Sequence, residues 1–337
     1  MSKASIGVSG AGPRESQTEP VWVLEDSRAG TAAQAIGIAE RLGVPFRRLP
    51  LSWTVFAHLA ALRRGGSLAG VNPAALDLGG APPRLVISAG NRSIAVALWL
   101  QTHLDCRVVH CMRPQLHAAL AAAQFDLLVI PHHDRPPLAD NVLPVLGAPH
   151  RVSPFALLRA QAEWEERLAH LPRPRIALMV GGKVRGTEMD PSLAHALGRQ
   201  VARLAAAHRG SVMVTTSRRT GAEATEALAA ALGPVMHLMF RWGDPGPNPY
   251  LGYLALADAI VVTGDSVSMI SEACTAAAPV FIALPELAGQ RHRRLHRSLY
   301  EAGQARPLGS SLSPWPRQGL DEAGRVAAEI LRRFPLD

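Results

Sequence analysis

Lysine is almost missing from this chain of 337 residues. Of its 35 Lys and Arg, only Lys3 and Lys183 are lysines, so the formal net charge of +8 is carried by arginine. The planar guanidinium fork suits bidentate recognition of phosphate and carboxylate, which points to anionic ligands. Cysteine is scarce too: Cys106, Cys111 and Cys274 cannot build a disulfide framework, and no C-x-x-C or Cys/His spacing suggests a metal site. A reduced, cytoplasmic protein without a metal or other cofactor is expected. Aromatic residues make up only 5%, too few for the stacking platforms of single-strand binders, so nucleic acid is not an expected partner. Long apolar runs are also absent. The stretches from Ser93 to Leu100 and from Ala255 to Thr263 fall short of the roughly 18 to 20 residues a membrane span needs. Residues 1–19 are rich in Ser, Gly, Pro and Glu and read as a mobile tail rather than a signal peptide.

What is present is alternation. Short β-branched apolar runs near Val21 to Leu24, Leu85 to Ser88, Arg107 to His110 and Leu127 to Ile130 alternate with segments of helical period, the pattern of βαβ units. A further short strand is expected near Ala148 to Val152. A polar amphipathic helix from Phe155 to His170 ends in Leu-Pro-Arg-Pro-Arg, after which the alternation begins again at Ile176 to Val180. The fold class is therefore α/β, with two doubly wound, Rossmann-like domains in tandem. We place an N-terminal domain at 20–152, a linker helix at 153–174, a second domain at 175–320 and a closing helix at 321–337, which could pack back on the first domain. Two such domains facing one another enclose a cleft at the carboxyl ends of both sheets, so residues just after strands matter most.

The richest segment runs from Thr263 through Gly264, Asp265, Ser266, Val267, Ser268 and Met269 to Glu272. A strand ends, small polar residues turn the chain and a helix starts. Asp265, Ser266 or Ser268 can cap amides and leave others for a phosphate, and Glu272, two turns along, could accept from ribose hydroxyls. That combination is a nucleotide site; the alternative is a capped helix with a solvated Glu272. Gly181 and Gly182 follow a strand and allow close backbone approach to a diphosphate, with Lys183 or Arg185 adding charge, although a plain turn fits equally well.

The spacing of Glu272 and Pro279 resembles the nucleotide-sugar segment of GT-B glycosyltransferases and non-hydrolysing UDP-sugar epimerases. Asn248-Pro249-Tyr250, Leu254 through Ala259, and Val262 through Ser266 narrow the likeness: they are similar to the signature of the mitochondrial-fission family. Glu25-Asp26 with Gly30 and Gln34, Phe125 to Asp134, Gly181-Gly182 and Thr215 to Thr220 extend it over most of the chain. The resemblance implies a GT-B-like fold whose C-terminal domain binds a nucleotide-diphosphate sugar as donor substrate. Gly181, Gly182, Lys183, Thr216, Ser217, Arg218, Asp265, Ser266, Ser268 and Met269 would then surround the phosphates, Trp242 the base and Glu272 the ribose.

On the N-terminal wall, Asp26, His133 and Asp134 are candidates for the base that an inverting transfer needs. Gly30, Gln34, Asn91 and Arg92 stand on the acceptor side. The basic run from Arg291 to Arg297 could meet an anionic membrane surface, in keeping with a lipid-linked acceptor, or form a solvated helix face. Three functions stay open: a metal-independent glycosyltransferase, a nucleotide-sugar epimerase on the same scaffold, and a non-catalytic adaptor. The oligomeric state is not legible.

Overall fold

A computed structural model of the protein describes residues 19–55, 66–72, 76–115, 123–182, 189–285 and 288–336. The first lobe contains β1 (Val21–Glu25), α1 (Ala29–Ala39), β2 (Phe46–Pro50), β3 (Leu85–Ala89), α2 (Ile94–Leu104), β4 (Arg107–Cys111), β5 (Leu127–Pro131) and β6 (Val142–Val145). Its six strands are all parallel, in the order β2-β1-β3-β4-β5-β6. Helices cover both faces, so central strands such as Leu85–Ala89 and Leu127–Pro131 are buried throughout, and this explains their unbroken apolar runs.

The chain then enters α3 (Pro154–Leu168). Ser153 caps it by accepting from the Ala156 amide at 2.8 Å, and Pro154 supplies the preset φ of a first helical turn. Leu157, Ala160, Trp164 and Leu168 recur at helical spacing and bury one stripe in the core of the second lobe.

The second lobe comprises β7 (Arg175–Val180), α4 (Pro191–Ala207), β8 (Ser211–Thr216), α5 (Ala222–Leu232), β9 (His237–Phe240), α6 (Tyr250–Leu256), β10 (Ala259–Thr263), α7 (Val267–Ala273), β11 (Val280–Ala283), α8 (Gln290–Glu301) and β12 (Arg306–Pro307). This sheet is also wholly parallel, in the order β12-β11-β10-β7-β8-β9. A closing helix, α9 (Glu322–Arg333), returns to the first lobe, where Ala323, Val326, Ala327 and Ile330 join Ala35 and Ile38 of α1 in one core. The α/β class with two doubly wound sheets is borne out.

Strand order reverses between β1 and β3 in the first sheet and between β7 and β10 in the second. Helices leave such neighbouring strands toward opposite faces, so a crevice opens at their carboxyl ends. Asp26 and Gly90 stand at the first crevice, Gly181 and Gly264 at the second.

The expected strand at Ala148 to Val152 is a correction. The edge strand is Val142–Val145, and residues 148–152 cross between the lobes instead. The Ala148 amide donates to Ser271 Oγ at 3.0 Å, and a side chain on Gly147 would meet that same hydroxyl. Four of its five residues are buried because it runs between the lobes, not because it pairs in a sheet. Residues 1–18 of the expected tail, Lys183, and most of a helix expected from Pro114 to Ala122 lie outside the described residues.

Candidate functional site

On the C-terminal wall the loop after β7 and the loop after β10 are sewn together. The Gly181 amide donates to Thr263 Oγ1 at 2.8 Å and the Gly182 amide to Asp265 Oδ2 at 2.8 Å, while Thr263 Oγ1 donates to Asp265 Oδ1 at 2.6 Å. The Gly181 carbonyl accepts from Ser217 Oγ at 2.8 Å and from Thr220 Oγ1. The two glycines are required by this contact. A Cβ on Gly181 would lie 2.4 Å from Asp265 Oδ2, and one on Gly182, at φ +152°, 2.4 Å from the Arg219 carbonyl. Both amides assigned to a phosphate from sequence are thus engaged within the protein, and so is the Asp265 carboxylate.

Ser266 is the N-cap of α7, accepting from the Met269 amide at 3.4 Å, and Met269 packs against the lobe core. Thr216 Oγ1 accepts from the Trp242 amide at 3.0 Å, joining the ends of β8 and β9. The Trp242 ring is 62% exposed beside them. Arg218 is exposed, with no hydrogen bond or ion pair among the described residues.

Glu272 is half-buried and accepts a 2.5 Å hydrogen bond from the Tyr250 hydroxyl. Burial pushes its carboxyl up to about 7, although the Tyr250 bond pulls the other way. Burial and the neighbouring carboxylate also hold the Tyr250 hydroxyl well above its ordinary value. Asn248-Pro249-Tyr250 starts α6 beside α7, and Asn248 Oδ1 accepts from the Tyr250 amide at 3.0 Å. The sequence pattern marked this tripeptide without revealing its purpose: it delivers the hydrogen-bond donor to the Glu272 carboxylate.

The N-terminal wall is built otherwise. Asp26, buried after β1, accepts from the Arg28 amide at 2.8 Å and from Arg92 Nη2 at 2.8 and 3.1 Å. Arg92 in turn lies over the Trp53 ring at 4.8 Å. This carboxylate is already engaged by a guanidinium and a backbone amide. Asn91 Oδ1 accepts from the Gln115 amide at 3.0 Å.

His133 and Asp134 belong to a single turn after β5. The His133 ring is 1% exposed, and neither of its nitrogens has a hydrogen-bond partner among the described residues. Burial lowers it to about 4, and nearby Arg291, His292 and Arg294 add to the effect against the pull of Asp134. The imidazole is therefore neutral at pH 7, with one lone pair and one N–H available. Gln34, also buried, donates weakly from Nε2 to the Gly30 carbonyl at 3.5 Å, and its Oε1 has no partner among the described residues.

Two cavities lie along this wall. The smaller, of about 220 Å³, is lined by Gly30, Gln34, His133 and Ser268 together with Met112 and Arg291. It lies between the lobes: a Cβ on Gly30 would stand 3.2 Å from Ser268 Oγ across the gap. The larger, of about 390 Å³, is lined by Asn91, Arg113 and Asp134, and shares Met112 and Arg291 with the smaller.

At its start the basic run is engaged within the protein rather than solvated. Arg291 forms a bidentate pair with Asp134, Nε to Oδ1 at 2.5 Å and Nη2 to Oδ2 at 2.6 Å, and Arg294 Nε donates to the His133 carbonyl at 2.8 Å. Leu295 and His296 are buried; Arg293 and Arg297 face outward. Arg291 was missed as a site residue, yet it opens the helix after β11, a strand-end position of the kind that flags a cleft.

The family profile described as Mitochondrial fission ELM1 matches residues 29–334. Mitochondrial fission protein ELM1 of Arabidopsis thaliana is 28% identical over 281 residues, 75% of this chain and 64% of that protein. The match thus spans less than two thirds of that relative's length. Uncharacterized protein RP120 of Rickettsia prowazekii (strain Madrid E) is 23% identical over 355 residues, 93% of this chain and 97% of that one. Among solved structures, the UDP-GlcNAc 2-epimerase of Methanocaldococcus jannaschii superposes with a TM-score of 0.51 at 13% identity, covering 93% of this chain and 99% of that one. MurG of Acinetobacter baumannii gives 0.50 at 13%, covering 94% and 92%. A UDP-glucosyltransferase of Polygonum tinctorium gives 0.51 at 10%, covering 94% of each. At such identities the likeness is one of fold, and that fold is GT-B.

Proposed function

Because the chain belongs to the family described as Mitochondrial fission ELM1 and has the fold of UDP-sugar enzymes, we propose that it is a glycosyltransferase. It takes a sugar from a nucleotide-diphosphate donor bound to the C-terminal lobe and passes it to an acceptor on the N-terminal lobe. The observation that carries this reading is the interlobe cavity of about 220 Å³, in which Gln34 Oε1 and both His133 nitrogens have no hydrogen-bond partner among the described residues. Buried polar atoms left unpaired are costly, and a neutral hydroxylated ring answers a lone acceptor, a donor and an acceptor together.

Glu272 accepts from the ribose hydroxyls in the same reading, sharing its carboxylate with Tyr250. Asp26 is occupied by Arg92, so deprotonation of the acceptor hydroxyl falls to His133, supported by Asp134 beside it. Charge on the departing diphosphate is met by arginines of the cleft, such as Arg218 and Arg291. The basic segment contributes to this reading through Arg291 and Arg294, which reach the N-terminal lobe.

Thermal unfolding with a panel of nucleoside diphosphates and nucleotide sugars tests this. A ligand at about one hundred times its Kd stabilises the native state by ~2.7 kcal/mol. At least one such ligand should raise the Tm, and Glu272→Ala should weaken it by about tenfold, the loss of roughly one charge-assisted hydrogen bond. No response to any nucleotide would overturn the proposal in favour of a non-catalytic adaptor. Conversion of the nucleotide sugar to its epimer without an acceptor would instead make the protein an epimerase.

A further inference from the structure

Arg291 and Asp134 face each other from different lobes, and no other residue bridges the two cavities as Arg291 does except Met112, which lines both as well. Met112 is held at φ +83°, a conformation that a methionine adopts only under constraint from its surroundings. The partition between the cavities is thus a strained backbone position and an ion pair. The pair is not sealed in: the Arg291 side chain is 41% exposed, whereas Asp134 is 11% exposed. The guanidinium fork that holds a carboxylate fits a phosphate equally well, through the same two parallel N–H donors. On the other side of Asp134, at 3.9 Å from its Oδ2, stands His133 Nε2, whose ring has no hydrogen-bond partner among the described residues. One carboxylate therefore lies within reach of two groups and is taken by one of them.

We propose that Arg291 is an oxyanion-binding residue held in reserve by Asp134: a phosphate-bearing ligand entering the cleft takes over the guanidinium, and the released carboxylate turns to His133. The inference rests on the reading that the cleft receives a phosphorylated substrate. Its chemistry is that of an oxyanion exchange, with no covalent step. Because Arg291 lines both cavities, the oxyanion could be the diphosphate of a donor on one side or the anionic group of an acceptor on the other. Arg113, pinned by Nη1 to the carbonyls of Asp134 at 2.8 Å and Arg135 at 3.2 Å, adds a positive charge on the acceptor side that has no ion pair among the described residues. The consequence is an order of events. Asp134 becomes able to orient the imidazole only after the anion has arrived, in the way a third group orients a catalytic base.

A plain interlobe clamp makes a different prediction, and the sign of two variants separates them. In a clamp, Asp134→Asn and Arg291→Gln break the same contact and act alike. Under the proposal Asp134 competes with the ligand, so Asp134→Asn should tighten binding of inorganic pyrophosphate by about tenfold, and Arg291→Gln should weaken it by at least about tenfold, both read by calorimetry at low ionic strength. UDP and dodecyl phosphate, titrated in parallel, distinguish the sources: an Arg291-dependent response to UDP marks the donor diphosphate, and one to dodecyl phosphate alone marks an acceptor. Equal weakening in both variants, or no change in either, overturns the proposal, as does absence of binding of all three probes.

Should either variant fail to fold, the Arg291 Nε–H resonance in wild-type protein labelled with 15N-arginine gives the same answer. It must shift on adding pyrophosphate, and a resonance that stays fixed at saturation overturns the proposal. Failure of sugar transfer with the opposite signs intact would sink the transferase reading and leave the assignment of Arg291 standing.

Discussion

The two walls of the cleft handle the same physical problem in opposite ways. Each is made of polar groups at the carboxyl ends of parallel strands, removed from water by the facing lobe. On the C-terminal wall those groups satisfy one another: the Gly181 and Gly182 amides, Thr263, Asp265, Ser217 and Thr220 form a closed hydrogen-bonded set. On the N-terminal wall Asp26 is satisfied by Arg92, yet Gln34 Oε1 and both nitrogens of His133 are not satisfied by any described residue. Since buried polar groups are paired in the great majority of native structures, the first wall is a finished scaffold and the second one is completed by what binds there. Phosphate recognition on the finished wall must then use groups at its rim, such as Arg218, rather than the diglycine amides.

The comparison breaks most visibly at glycines. Gly182→Ala would place a methyl group 2.4 Å from the Arg219 carbonyl at a φ that L residues rarely adopt, and it would disturb the amide that holds Asp265. We expect a loss of about 3 kcal/mol or more in urea denaturation, from strain and overpacking together. Gly30→Ala is the counterpart on the other wall. It lies in the first turn of α1, where alanine is favoured by up to ~1 kcal/mol, so stability should hold or rise. Its methyl would meet Ser268 Oγ at 3.2 Å and narrow the cavity, so ligand affinity should fall. Equal costs for the two substitutions would refute the contrast between the walls.

Much of the architecture was legible from sequence because it depends on period alone. Fully buried parallel strands leave unbroken apolar runs such as Leu127–Pro131 and Arg175–Val180, and these survive any detail of packing. The misplaced edge strand shows the limit. Val142–Val145 and the crossing at 148–152 both carry valine at an end, and tertiary partners tell them apart: the first pairs with β5, whereas the Ala148 amide goes to the Ser271 hydroxyl. The same limit governs the site. Sequence put Asp26, His133, Gly181 and Glu272 at strand and helix ends, where structure has them, but which of them already has a partner is decided by residues far away in the chain. Arg92 occupies Asp26 across 66 positions, and Arg291 occupies Asp134 across 157. Tyr250 was visible as part of a family signature, yet its bond to Glu272 is a tertiary fact.

Glu272 gives the next test, through pH. Its carboxyl sits at about 7 in the folded protein against an ordinary value of 4.5. A raised folded value means that the native state holds the proton more tightly. The stabilisation this group brings is therefore complete below pH 4.5 and is lost as pH rises through 7. Between pH 5 and pH 8 wild-type stability should fall relative to Glu272→Gln by on the order of 2 kcal/mol. Groups common to both proteins, the buried histidines included, cancel in the difference. Nucleotide binding should move the other way: a ribose needs the ionised carboxylate as acceptor, so wild-type affinity should increase as pH climbs through 7. A wild-type and variant difference that is flat across this range would mean that Glu272 is solvated, and with it the C-terminal wall would lose its desolvated acid.

The smallest expected change is at His133, and it decides the character of the second wall. In a core histidine that supports the fold, removing the ring breaks hydrogen bonds and leaves their partners unpaired, at about 1 to 3 kcal/mol each. The His133 ring has no such partners among the described residues; acceptance from Arg294 uses its backbone carbonyl and survives any substitution. His133→Phe exchanges a desolvated polar ring for an apolar one beside a cavity of about 220 Å³ that can absorb the difference in size. Stability in urea should therefore stay within about 0.5 kcal/mol of wild type, or rise, since replacing an unpaired buried polar group by an apolar one of similar shape is nearly neutral. Sugar transfer should be abolished in the same protein while the pyrophosphate affinity carried by Arg291 is kept. A large loss of stability would make the ring a structural element of the lobe, and the vacancy opposite Gln34 would then hold no more than water.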